Sequence, residues 1–128
     1  MSVSVSSGVP SEAVGAARWL AWQALRVRRL DLAHRLLAGC VELDPSDGWS
    51  AEALARVALA RGDAEAGREA AAHLLRLAPG SAAGALLYAR AQLALDAPEE
   101  ARPWLARAAG AGRGATKRTA EALLARLA

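Results

Sequence analysis

Leu43-Asp44-Pro45 returns as Leu77-Ala78-Pro79, so that Pro79 lies 34 residues after Pro45. The same interval separates three further segments, which are Arg29-Leu30-Asp31-Leu32-Ala33, Asp63-Ala64-Glu65-Ala66-Gly67 and Ala97-Pro98-Glu99-Glu100-Ala101. A period of this length is typical of a helix–turn–helix unit that stacks on copies of itself. Stacks of this kind present extended concave binding surfaces. The period therefore predicts a binding scaffold and argues against an active site.

Composition predicts an all-α protein. The 128-residue chain is 54% hydrophobic and contains no phenylalanine. Alanine and leucine supply most of the hydrophobic residues, and both are strong helix formers. A chain of this length is expected to form one domain, which we place at residues 11–128. Residues 1–10, rich in Ser, Val and Gly, are predicted to be a disordered tail.

Turn residues divide the domain into helices. Pro45 and Pro79 end helices, Gly62-Asp63 combines a helix-ending glycine with an N-cap aspartate, and Pro98 suits a first helical turn. We expect three hairpins over about 14–47, 48–81 and 82–113. A last helix over about 115–127 would follow a flexible joint of glycines at 110, 112 and 114, and would cap the end of the stack.

Charge, cysteine content and hydropathy indicate the cellular compartment of the protein. The formal charge is +3, but arginines alternate with acids along most of the chain, as on solvated helix faces with i,i+4 ion pairs. Cys40 is the single cysteine, so no internal disulfide can form, which fits a reducing compartment. No apolar run is long enough to span a bilayer, and the N-terminus does not resemble a secretory signal. We therefore expect a cytoplasmic protein that does not insert into membranes.

The repeated positions resemble those of the tetratricopeptide (TPR) repeat, which has small residues where its two helices cross, a large apolar residue between them and a closing proline. The matching positions are Ala21, Ala55 and Ala89; Ala33, Gly67 and Ala101; Leu37, Ala71 and Leu105; and Pro45 and Pro79. The chain departs from the pattern where alanines replace its tryptophan, where Ala24, Ala58 and Gln92 replace its tyrosine, and where Arg113 replaces the third proline. Three repeats in phase cover about residues 14–113.

The resemblance implies a right-handed α-solenoid of three repeats in which the first helix of each repeat lines a concave groove. Carried over by position, the groove residues are Arg18, Trp22, Leu25, Arg26, Trp49, Glu52, Arg56, Leu59, Leu86, Arg90 and Leu93. Such a surface is apolar in the middle and mostly cationic around it. It suits an amphipathic helix or an extended segment with acidic flanks. The carboxylate-clamp subtype of the family needs Asn at set groove positions, and this chain has no Asn.

Three functions are compatible with these features. The first is a chaperone or adaptor that shields a helix of a partner protein, and the pattern around Trp19-Leu20-Ala21-Trp22 resembles small TPR chaperones of bacterial type III secretion. The second is a homo-oligomeric structural module, such as a homodimer, that pairs through the last helix. The third and weakest is nucleic-acid binding through the arginines, which requires a one-sided cationic stripe.

Individual side chains have competing interpretations. Trp22 and Trp49 are the strongest binding candidates, because tryptophan is enriched at binding hot spots, but both could also pack inside the repeats. Trp19, Tyr88 and Trp104 are expected in the core. Arg18, Arg26, Arg56 and Arg90 project from successive first helices, as either a cationic stripe or scattered surface charge.

Enzymatic and metal-binding functions find no support in the sequence. No catalytic triad, phosphate loop or HExxH motif is present. His34 and His73 lie on different repeats without further ligands, whereas metal sites need three or four. Cys40 is expected to be a buried structural thiol. We therefore expect no enzymatic activity, no cofactor and no bound metal.

Overall fold

A computed structural model describes residues 11–128, and this part of the chain contains seven α-helices and no strand. The helices are α1 (Ser11–Arg26), α2 (Leu30–Leu43), α3 (Gly48–Ala60), α4 (Ala64–Leu77), α5 (Ala82–Ala94), α6 (Pro98–Ala111) and α7 (Gly114–Leu127). Each helix packs on the next one in the chain, and α5 also packs on α3 and on α7. The molecule is thus an α-solenoid of three hairpins followed by one further helix. None of these helices is both long enough and apolar enough to cross a lipid bilayer.

Small residues allow the two helices of each hairpin to approach closely. Ala21 and Ala33 are fully buried in one cluster, and Ala89 and Ala101 are fully buried in another. In the second hairpin a Cβ added at Gly67 would lie 2.9 Å from Cγ of Leu59 and 3.7 Å from the carbonyl oxygen of Ala55. The small residues predicted at the helix crossings therefore occupy buried contacts.

The turn inside each hairpin uses a left-handed residue at the same repeat position. Arg28, Gly62 and Asp96 have φ angles of 61°, 82° and 60°, and they lie 34 residues apart. In each turn the next residue donates its backbone N–H to a carbonyl five residues earlier, as in Arg29 to Ala24 and Asp63 to Ala58. The repeat thus recurs in the backbone geometry of the turns, although two of the three turns lack glycine.

Helix starts agree with the capping residues. Asp47, Asp63 and Ser81 accept a backbone N–H three residues on, from Ser50, Ala66 and Gly84 respectively, and α6 begins at Pro98. An N-cap of this kind satisfies one of the orphan donors of the first helical turn.

Helix α7 closes the C-terminal end of the stack. Its Ala120 is fully buried with Leu86, Ala89 and Leu105, and its three leucines at 123, 124 and 127 pack against the same cluster. Ala120 and the partly buried leucines of α7 thereby pack against the chain's own core.

Two expectations need correction and one lies outside the described residues. Trp19 is 57% exposed instead of buried. Successive residues of an α-helix point about 100° apart, so Trp19, two residues before the buried Ala21, faces away from it. Gly110 belongs to α6, so only Gly112 and Arg113 connect α6 to α7. The expected disordered tail at residues 1–10 lies outside the described residues. Tyr88 and Trp104 are half-buried against core clusters, as expected, with ring centroids 5.1 Å apart.

The left-handed turn at Gly62 provides a test of the fold. We expect Gly62→Ala to lower the free energy of unfolding by about 1–2 kcal/mol, because a Cβ is disfavoured at a φ of 82°. Gly80→Ala is the matched control, since Gly80 has no positive φ and a Cβ there would meet no atom within 4 Å. Urea unfolding followed by circular dichroism measures both. Equal stability of the two variants would contradict the turn geometry.

Candidate functional site

A cavity of about 310 Å³ opens between α1 and α3. It is lined by Trp22, Leu25, Trp49, Glu52, Ala53, Arg56 and Val57. The backbones of α3 and α5 are in contact, as are those of α5 and α7, whereas α1 and α3 have no comparable backbone contact. Trp49 lies where the other two repeats have Gly15 and Ala83. A bulky side chain at this position is consistent with the wider separation of α1 and α3.

Both tryptophans of the cavity are accessible to solvent. Trp22 is 46% exposed and Trp49 is 40% exposed. Of the two interpretations that the sequence leaves open, the structure thus favours surface positions over packing inside the repeats. Exposed tryptophans that share one cavity form an apolar surface without a partner in the described chain.

Each of these tryptophans carries an arginine on its ring. The guanidinium carbon of Arg18 lies 5.0 Å from the ring centroid of Trp49, and that of Arg26 lies 5.0 Å from the ring centroid of Trp22. The stacking holds the indoles in place through cation–π attraction. The guanidinium group of Arg26 forms no ion pair within the described residues, so it can still donate hydrogen bonds to a partner.

Asp47 anchors this arrangement at the start of α3. Its carboxylate accepts the backbone N–H of Ser50 at 3.2 Å and the Ser50 hydroxyl at 2.6 Å, and it forms an ion pair with Arg18 at 3.3 Å. The side chain of Asp47 is only 7% exposed. One residue thus caps α3 and fixes the arginine that covers Trp49. On the other side of the cavity, Arg56 pairs with Glu52 at 3.0 Å.

Some predicted groove residues lie elsewhere. Leu86 is 7% exposed and packs in the cluster covered by α7, and Leu93 packs against the same cluster. Leu59 points towards α4, where it fills the space beside Gly67. These three leucines therefore contribute to the core and not to an open groove. Arg90 is exposed on α5, but does not line the cavity.

The sequence interpretation missed Asp47, Ala53 and Val57 as parts of the site. Ala53 and Val57 follow Trp49 at four-residue intervals, a helical spacing that could have shown that they share its face. Asp47 is recognisable as a cap from the sequence alone, whereas its ion pair with Arg18 of another helix depends on the tertiary arrangement.

A second cavity, of about 280 Å³, brings the two histidines to one place. His34 of α2 and His73 of α4 line it together with Glu69 and several apolar residues. Although they belong to different repeats, the two histidines therefore line the same cavity. Within residues 11–128, no group of three or more His, Cys, Asp or Glu side chains is arranged to hold a metal ion. Nε2 of His73 lies 2.6 Å from the carbonyl oxygen of Pro45.

Cys40 is fully buried, as expected. Burial raises the pKa of its thiol, and a hydrogen bond with the Ser50 side chain only partly opposes this effect. A buried thiol with a raised pKa is a poor nucleophile. Cys40 therefore has a packing role next to the Asp47–Ser50 cap.

The helical hairpins, their small crossing residues and their repeated turns define an α-solenoid, and comparison with solved structures shows that its fold is that of TPR domains. The first TPR domain of Spaghetti (RPAP3), bound to an HSP90 peptide, is similar with a TM-score of 0.80 and 13% identity, over 93% of this chain and 96% of that one. No family model matches the chain, and no curated protein matches it.

Two further solved structures share the fold over most of their length. The type III secretion translocator chaperone SycD of Yersinia enterocolitica is similar with a TM-score of 0.77 and 16% identity, over 99% of this chain and 96% of that one. PcrH in complex with the chaperone-binding region of PopD gives a TM-score of 0.75 and 18% identity, over 93% and 88%. These comparisons confirm the predicted TPR fold.

The dual contact of Asp47 leads to a prediction. Asp47→Ala is expected to lower the free energy of unfolding by about 2–3 kcal/mol, because it removes a helix cap and leaves Arg18 and the Ser50 hydroxyl without their acceptor. Asp63→Ala is the control, since Asp63 caps α4 but forms no ion pair within the described residues. It should lose about 1 kcal/mol. Equal losses in urea unfolding would mean that the Arg18 contact contributes nothing.

Burial of Cys40 predicts slow alkylation. At pH 8 the folded chain should react with iodoacetamide at least about tenfold more slowly than the urea-unfolded chain, because the raised pKa lowers the thiolate fraction and packing blocks access. Mass spectrometry of quenched samples gives both rates. Similar rates in the two states would show that Cys40 is accessible.

Proposed function

We propose that this chain is a non-enzymatic scaffold that binds a helical or extended segment of a partner protein in the cavity between α1 and α3. The observation that carries the proposal is the pair of exposed indoles, Trp22 and Trp49, in one cavity. Tryptophan and arginine are the residues most enriched at binding hot spots. Their burial by a partner would supply affinity at about 25 cal/mol per Å² of apolar surface, before the costs of association.

The charges around the cavity define the segment that fits. Arg26 forms no ion pair with any described residue, and Arg18 stacks on Trp49 while its partner Asp47 is nearly buried. A segment with an apolar centre and carboxylates at its flanks would place its side chains against the indoles and its charges against the guanidinium groups. The partner is therefore proposed to contribute an amphipathic helix or extended strand with acidic flanks.

The more specific role that we propose is that of a chaperone for a component of bacterial type III secretion, acting in the cytoplasm. The support is the likeness in fold to SycD and to PcrH with its bound PopD region, each over most of both chains. A chaperone of this kind shields an apolar segment of its client until the client is exported. The cavity with its two exposed indoles supplies a surface for such a segment.

Affinity capture from the native cell, followed by quantitative mass spectrometry, tests the proposal. A protein captured by the wild-type chain should be depleted at least about tenfold by the double variant Trp22→Ala/Trp49→Ala, because hot-spot tryptophans contribute about 2 kcal/mol or more each. Trp19→Ala is the matched control, since it removes an exposed indole of the same helix that does not line the cavity. It should capture the same protein as the wild type.

The outcomes separate the general proposal from the specific one. Identical capture by the wild type and the double variant would rule out the cavity as the binding site. A captured partner that depends on both tryptophans but is not an export component would support the scaffold and overturn the role in type III secretion.

A further inference from the structure

The N-terminal edge of the solenoid carries a second apolar surface, distinct from the cavity between α1 and α3. A cavity of about 360 Å³ lies between α1 and α2, and its lining includes Leu20, Val27, Leu32 and Leu36. Leu20 is 49% exposed and Val27 is 65% exposed. We call this apolar surface, together with the neighbouring Arg28, Arg29 and Arg35, the N-terminal edge. Trp22 and Trp49, which line the cavity between α1 and α3, do not belong to it.

Comparison with the second repeat shows what the equivalent surface contacts there. The residues 34 positions after Leu20, Gln23 and Val27 are Leu54, Val57 and Arg61. Leu54 and Val57 pack in a cluster with Leu37 of the first hairpin, and Arg61 pairs with Asp31 of the same hairpin at 2.9 Å. In the second repeat these positions therefore receive the preceding hairpin. In the first repeat Leu20 and Val27 are apolar and Gln23 is polar, but no preceding hairpin packs on these positions within the described chain.

The opposite end of the solenoid shows how a closed end differs. Helix α7 turns its leucines inwards and exposes polar and charged residues such as Lys117, Arg118 and Arg126. A terminal unit with a polar outer face is what a solenoid needs for solubility. The N-terminal edge has the apolar character of an internal stacking surface, which indicates that it receives a helix.

Charge identifies the kind of helix. A cavity of about 480 Å³ adjoins the apolar one, shares Arg29 and Leu32 with it, and is also lined by Arg28 and Arg35. These three arginines form no ion pair with any described residue, whereas Asp31 is already paired with Arg61. An incoming helix that carries carboxylates beside its apolar stripe would complement the arginines.

A second copy of this chain fits less well. Its own N-terminal edge would present the same arginines, and its α7 exposes three cations against the single acid Glu121, which is paired with Lys117. Either end of a copy would therefore bring positive charge towards positive charge. Like-charge contacts of this kind disfavour association.

We propose that the N-terminal edge docks an amphipathic α-helix of another protein, whose apolar stripe fills the cavity beside Leu20 and Val27 and whose carboxylates pair with Arg28, Arg29 and Arg35. The docked helix takes the place that a preceding hairpin occupies on the second repeat. The chain therefore has two binding surfaces on opposite sides of α1, and a partner helix at the edge leaves the cavity of Trp22 and Trp49 open.

A synthetic helix tests the proposal. The probe is a fluorescent peptide of 16 residues, the length of α1, with a leucine stripe flanked by glutamates, and its binding to the full chain is followed by fluorescence anisotropy. Leu20→Glu/Val27→Glu should raise the Kd at least about tenfold, since it places two charges on an apolar contact surface. Leu77→Glu, at an exposed leucine of α4, is the matched control and should leave the Kd within about twofold.

Two further measurements test the charge argument without altering the apolar surface. The same peptide with lysines in place of glutamates should bind at least about tenfold more weakly. Arg35→Glu should weaken binding of the glutamate peptide and strengthen binding of the lysine peptide. These two measurements still test the proposal if Leu20→Glu/Val27→Glu fails to fold, which circular dichroism would show.

Several results would overturn the proposal. One is absence of binding by the glutamate peptide. Another is binding that is lost in Trp22→Ala/Trp49→Ala and kept in Leu20→Glu/Val27→Glu, which would place the peptide in the other cavity and leave the proposed function intact. A third is a wild-type dimer in light scattering that Leu20→Glu/Val27→Glu converts to a monomer, because a second copy would then occupy the edge.

Discussion

Close contact between the two helices of each hairpin is the constraint on which the rest of the structure depends. Ala21, Ala33, Ala55, Ala89 and Ala101 are all fully buried, and Gly67 leaves no room for a Cβ beside Leu59. Helices that touch at such small residues leave little freedom for their relative position, because protein interiors are close-packed. The outer faces of each hairpin are therefore held in fixed directions. These faces determine where the neighbouring hairpins pack and where the cavities lie.

Most of the fold could be predicted from the sequence because its determinants are local and repeated. The helices follow from alanine and leucine content, their ends from Pro45, Pro79 and the N-cap residues, and the pairing of helices from small residues at 34-residue intervals. A left-handed residue at Arg28 and Asp96 was not predictable in the same way, since neither is a glycine. There the tertiary arrangement imposes the turn that Gly62 adopts without strain.

The candidate site was only partly predictable, because periodicity gives the register of a residue and not the size of its neighbours. Trp22, Leu25, Trp49, Glu52 and Arg56 share one cavity, as their positions imply. Leu86 and Leu93 occupy equivalent positions in the third repeat, but α7 packs over that region and buries them in a cluster. Leu59 turns towards α4 because Gly67 leaves space there. The burial of Leu86 and Leu93 thus depends on α7, which lies outside the repeats. The direction of Leu59 depends on the absence of a side chain at Gly67.

Helix α1 shows how one short segment can serve three surfaces. Successive residues of a helix point about 100° apart, so Leu20, Ala21 and Trp22 face the N-terminal edge, the hairpin core and the cavity beside α3 respectively. Ala21 fixes α1 against α2, and this contact holds the other two side chains in position. Because the three directions are set by helix geometry alone, a substitution at Leu20 changes one surface without altering the others. The edge and the cavity are therefore separable by single residues, even though they belong to the same helix.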